Sequence, residues 1–178
     1  MRQMAAPQGR SPRPGAAAAQ NRESPNRQAP SGNPRPVPFT RPKSYAAIDL
    51  GTNNCRLLIA RPQDGELVVI DAFSRIVRLG EGLVYTGRLS DDAMDRAVEA
   101  LKVCSAKLSG RPIRRMRLIA TEACRAATNG EEFLSRVTRE TGLRLEIISR
   151  ETEARLAVSG CASLVGREAR SVVLFDIG

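Results

Sequence analysis

Nine of the chain's eleven prolines lie within its first 44 residues, beside eight basic side chains and a single acid, Glu23. That partition decides how much of the chain can fold. The stretch has one aromatic residue, Phe39. It cannot bury enough apolar surface to offset a backbone ordering cost of about 1–2 kcal/mol per residue. Residues 1–44 are therefore expected to be a disordered, basic, Pro-rich tail. The tail holds seven of the nine net positive charges, so the overall charge says little about the folded part. Its arginines could act as loose counterions for RNA, DNA or polyphosphate. Equally, the tail could be a solvated extension without a specific partner. The absence of aromatics interleaved for base stacking favours the second reading and leaves only weak, non-specific polyanion contact.

Several chemistries are excluded for the whole chain. It contains no His, so a Ser-His-Asp triad, a Cys-His pair and a His-ligated zinc are all ruled out. Cys55, Cys104, Cys124 and Cys161 stand singly, in or beside apolar segments, and form no CxxC; they are expected to be free core thiols. No signal-peptide pattern opens the chain, and no apolar run approaches the ~20 residues that span a bilayer. The expectation is a soluble protein of a reducing compartment, the cytoplasm, without membrane contact. GxxxxGK[ST] is absent, which excludes a P-loop.

Apolar runs and turn residues give the element order. Tyr45–Leu50 and Cys55–Ala60 read as strands, the second stopped by Pro62 and Asp64-Gly65. A third strand begins at Glu66 and runs to Asp71, or through a bulge to Arg78. Ser90 caps a helix ended by Gly110 and Pro112, with Asp91 and Asp92 in its first turn. Arg117–Thr121 is a strand and 121–129 a turn or short helix. Asn129 caps a further helix that Gly142 ends. Leu143–Ser149 alternates as a strand, Ser149 caps a helix over 150–164, and Ser171–Gly178 reads as a final buried strand. Three strands in a meander followed by αβ crossovers give an α/β fold: a mixed five-stranded sheet with helices on its faces, in the order β-β-β-α-β-α-β-α, and then one further strand.

Two places combine a strand end with phosphate chemistry. Asp49-Leu50-Gly51-Thr52-Asn53-Asn54 sets a carboxylate beside a glycine turn whose hydroxyl and backbone N–H groups can face a phosphate, with Asp49 near a hydrated Mg²⁺. The same residues also suit an ordinary polar hairpin turn. Phe175-Asp176-Ile177-Gly178 repeats the pattern of apolar strand, Asp, apolar residue, Gly. Glu151 and Glu153 stand where acids are favoured at a helix start, which by itself accounts for them as well as a catalytic role does.

Ala46–Asn53 resembles the first phosphate motif of the acetate/sugar kinase, heat-shock chaperone and actin superfamily, and more narrowly that of the exopolyphosphatase and guanosine pentaphosphate phosphatase family. Further stretches resemble that family in order: Arg78-Leu-Gly-Glu-Gly-Leu83 with Thr86-Gly87, Ala120–Asn129, and Ile147–Leu156. Asp176-Ile177-Gly178 is similar to the opening of the family's second phosphate motif. The resemblance covers residues 45–178 and implies an actin-like (ribonuclease H-like) half-domain over 45–165. Residues 166–178 would begin a second half-domain, truncated here, so the chain alone is expected to turn over little.

The resemblance also implies roles. Glu153, immediately before Ala-Arg-Leu, would activate water for hydrolysis of the terminal phosphoanhydride of polyphosphate or guanosine pentaphosphate. Arg125 would grip phosphate together with Gly51, Thr52, Asn53, Asn54 and Gly178. Asp49 and Asp176 would hold Mg²⁺, while Arg155 and Glu151 would support Glu153 from behind. Family members are commonly dimers, which implies a homodimer. Asn54 stands where the family usually carries Ser or Thr, and Arg150 and Thr152 where it carries Gly and Glu. Two alternatives accompany this reading: a non-catalytic polyphosphate- or nucleotide-binding module, and a phosphotransferase or ATPase of the same superfamily.

Overall fold

A computed structural model describes residues 43–166 and 168–175. Apart from Lys43 and Ser44, the expected tail lies outside the described residues, as do Asp176 and Gly178. The chain divides into two units, Met1–Pro38 and Phe39–Gly178, and all described residues belong to the second.

Strands β1 (Ser44–Leu50), β2 (Asn54–Gln63) and β3 (Glu66–Ile76) form the expected meander. Strand β4 (Ile113–Ala120) lies parallel to β1, and β5 (Glu146–Ile147) parallel to β4. The sheet order is β3-β2-β1-β4-β5, the expected mixed five-stranded sheet. Residues at alternate positions of β1 face opposite sides of the sheet. Ile48 and Leu50 point into the core; Ala47 and Asp49 point to the other face, which is open beside Leu58.

Beyond the short helix α1 (Leu83–Thr86), helix α2 (Asp91–Leu108) covers the core side. Ala93, Ala97, Leu101, Cys104 and Leu108 recur at helical spacing and are all buried. Its alanines let the helix approach the strands closely, and α4 (Gly130–Thr141) adds Phe133 and Val137 to the same core. Ser90 caps α2 as expected, its hydroxyl accepting from Ala93 N–H at 3.3 Å. Cys55, Cys104 and Cys124 are free core thiols, and burial pushes the Cys124 thiol up to about 12. Cys161 differs: it is only half-buried, on α5 (Arg150–Cys161).

Four local expectations are corrected. Pro62 does not stop β2, because the β1 pairing ends at Ala60, beyond which a missing N–H costs no ladder bond on that side. The hairpin turns at Asp64-Gly65, as expected, with both residues at positive φ. Asn129 precedes α4 without capping it through its side chain. Its amide is buried and exchanges two hydrogen bonds with the backbone of Leu89, at 2.9 and 3.0 Å, tying the entry of α2 to that of α4. Only two residues of the stretch 143–149 join the sheet, since the Leu143 N–H and C=O are engaged by Thr141 and Thr138 at the end of α4. Ser171–Phe175 is neither buried nor a strand. An apolar run becomes a strand only where a sheet edge pairs with it, and among the described residues none does.

Candidate active site

The turn after β1 is held from both sides. Gly51 N–H donates to Asn54 O at 2.9 Å, closing the reversal into β2. Asn53 O accepts from Val77 and Arg78 N–H at 2.8 and 3.1 Å, and Thr52 O from Gly80 N–H at 3.0 Å. The segment after β3 thus lies along the turn. A Cβ at Gly80 would overlap the Thr52 methyl group and force the Thr52 side chain to shift. Arg96 on α2 braces the segment through Val77 O at 2.9 Å and the Glu81 carboxylate at 2.7 Å. The Arg78–Leu83 motif is therefore the buttress of the turn.

Helices α3 (Glu122–Ala126) and α5 start from the C-terminal ends of neighbouring strands. Thr121 N–H donates to Leu50 O at 3.1 Å, and Ile148 N–H to Ala120 O at 3.2 Å, so the ends of β1, β4 and β5 are level. The Ser149 hydroxyl caps α5 from Thr152 N–H at 3.2 Å. This brings Arg125 of α3 against α5. Its guanidinium donates to Ile148 O, to the Glu122 carboxylate, and to Glu153 Oε2 at 3.3 Å. Thr52, Glu122, Arg125, Arg150 and Glu153 line one cavity of about 450 Å³.

The charges in this cavity are strongly coupled. Arg150 binds Glu122 through both Nε and Nη2, at 3.1 and 2.6 Å. The Arg150 hydrogen bonds, followed by that from Arg125, hold the Glu122 carboxyl down to about 2. Glu151 is also held below the usual carboxylate range, by its own backbone N–H and the Ser149 hydroxyl.

The cavity brings Thr52, Arg125 and Glu153 together; the other candidates among the described residues do not line it. Gly51, Asn53 and Asn54 shape the turn. Asp49 is half-buried and lines a separate cavity on the open face of the sheet with Arg56 and Ser74. Arg155 does not support Glu153: it is exposed and makes no side-chain hydrogen bond or ion pair among the described residues. Two residues along a helix point to nearly opposite sides, so Arg125 from α3 takes that place. No three acidic or Cys side chains converge on a metal position among the described residues. Mg²⁺ asks for less, since one or two carboxylates with water and substrate phosphates suffice.

The Ppx/GppA phosphatase family model matches residues 58–178. The chain belongs to the Ppx/GppA phosphatase family. It is 40% identical to the Aquifex aeolicus family member, with TM-score 0.63 over 67% of this chain and 39% of that one. An exopolyphosphatase-like protein is 36% identical, with TM-score 0.65 over 71% of this chain and 38% of that one. An exopolyphosphatase from Cytophaga hutchinsonii is 27% identical, with TM-score 0.64 over 68% and 39%. The chain thus spans about two-fifths of the length of these Ppx/GppA and exopolyphosphatase structures.

Sequence reasoning missed the part Glu122 and Arg150 play in this cavity. Glu122 carries a readable signal, standing three residues before Arg125 on one helix face. Arg150 stands out in sequence only as a departure from the family's glycine. Its partner lies 28 residues away, and only the level ends of β4 and β5 bring the two together.

Proposed function

We propose that this chain supplies the water-activating wall of a Mg²⁺-dependent phosphohydrolase, working in the cytoplasm. Its substrate would be the terminal phosphoanhydride of inorganic polyphosphate or guanosine pentaphosphate. The second wall would be a further half-domain opening with Asp176-Ile177-Gly178. The observation that carries this reading is the Glu153 carboxylate, 3.3 Å from the Arg125 guanidinium in a cavity shared with Thr52.

In this reading Arg125 binds the terminal phosphate and keeps its charge from repelling the nucleophile. The Thr52 hydroxyl and the backbone of residues 51–54 hold the neighbouring phosphate. Glu153 orients a water and takes its proton as the oxygen–phosphorus bond forms and the anhydride bond to the rest of the chain breaks. Asp49 and Asp176 would hold Mg²⁺, which would supply charge neutralisation for the substrate. Substituting Glu153→Gln, in protein carrying both half-domains, is expected to lower kcat by about 10²–10⁴ with KM little changed. Steady-state release of phosphate from polyphosphate measures it, and an unchanged kcat places the base elsewhere.

A further inference from the structure

The two guanidinium groups of the pocket share one anion. One Glu122 carboxylate oxygen accepts from Arg150 Nη2 at 2.6 Å; the other accepts from Arg150 Nε at 3.1 Å and from Arg125 Nη2. Arg150 makes no other side-chain hydrogen bond among the described residues, and its side chain is 74% exposed at the mouth of the cavity. Its pairing with Glu122 is the fork-to-fork contact in which a guanidinium takes a carboxylate or a phosphate with the same geometry. Glu122 is itself 41% exposed and hangs from a five-residue helix, so little packing opposes a change of its rotamer.

We propose that Glu122 is a resident anion, occupying the place between Arg125 and Arg150 that a substrate phosphate takes, and that Arg150 is thereby a second phosphate-binding arginine. This rests on the phosphohydrolase reading and deepens it by stating how an anionic substrate gains entry: the carboxylate swings out as the phosphate enters. In the empty pocket Glu122 relieves the repulsion between two neighbouring cations. A phosphate chain carries more charge and more acceptor oxygens than one carboxylate, so it competes successfully. The carboxylate nonetheless lowers apparent affinity, because only the fraction of molecules with Glu122 displaced is ready to bind.

The test is equilibrium binding of inorganic tripolyphosphate, followed by calorimetry without turnover. Glu122→Gln keeps the shape of the side chain and removes its charge, and is expected to bind about three- to tenfold tighter than wild type. Arg150→Ala is expected to bind about tenfold weaker, with Arg150→Lys between, since it keeps the charge and loses the fork. Combining Glu122→Gln with Arg150→Ala should shrink the gain from Glu122→Gln, because one of the two released cations is gone. Wild type that binds while Glu122→Gln binds no tighter overturns this inference alone and makes Glu122 a scaffold for the arginines. Unchanged affinity in Arg150→Ala does the same. Wild type that does not bind tripolyphosphate overturns the phosphohydrolase reading as well.

Discussion

Helices α2 and α5 begin alike and end differently. Each is capped by a serine hydroxyl that accepts from the N–H three residues on, and each carries two acids in its first turn. Yet α2 buries seven residues against the sheet, and α5 buries none. What ties α5 down at its start is charge: Glu153 to Arg125, and Arg150 to Glu122. The cap makes a helix in both cases; the apolar face of α2 is buried in the core, whereas that of α5, through Ala154, Ala157 and Val158, lines the cavity. α2 is a structural element, and α5 carries the proposed chemistry on a helix that packing leaves accessible.

Leucines chosen from the two helices should separate them most widely. Leu101 is fully buried beneath α2, so Leu101→Ala is expected to cost about 2–5 kcal/mol through lost transfer energy and the cavity left behind. Leu156 on α5 is 37% exposed, and Leu156→Ala should stay within about 0.5 kcal/mol of wild type. Urea unfolding measures both. Equal losses would mean that α5 is as much part of the core as α2, and the contrast would be void.

The serine caps come next in size. Ser90→Ala should lower global stability by about 1 kcal/mol, because α2 folds and unfolds with the core. Ser149→Ala removes the same kind of bond, but should act locally, raising amide exchange in the first turn of α5 while the unfolding midpoint stays put. A global loss from Ser149→Ala would tie α5 energetically to the core.

The same contrast explains what the sequence makes legible. The β-meander, α2 and both serine caps follow from short-range patterns: alternation in strands, helical spacing and a hydroxyl before an acidic turn. Glu153, Arg125 and Thr52 come from motif resemblance, and they meet in one cavity. What sequence hides is long-range. Asn129 looks like a cap and instead holds Leu89, forty residues earlier, because a buried amide satisfies itself with whatever backbone the fold brings near. Arg155, next but one to Glu153, is turned away by helix geometry. Ser171–Phe175 has the composition of a strand but no edge to join among the described residues, and composition does not supply the partner.

The smallest expected effect is the most specific to α5. Glu122 has an ordinary pKa of 4.5, and the guanidinium groups around it lower this to about 2. A depressed carboxyl contributes stability that is fully present above its unfolded-state pKa and is lost as the pH falls through the folded value. The stabilisation from the tie between α3 and α5 should therefore be complete above pH 4.5, fall progressively below it and be nearly gone at about pH 2. Because both partners are exposed, 1 M salt should weaken it further, with little effect on α2. Following the Glu122 carboxyl carbon by NMR across this range gives the midpoint directly. Arg150→Ala should raise the midpoint more than Arg125→Ala, since the Arg150 hydrogen bonds are the larger cause of the shift. A midpoint at the ordinary value would show that the carboxylate is not held between the two arginines in solution. The attachment of α5 would then have to come from somewhere other than charge.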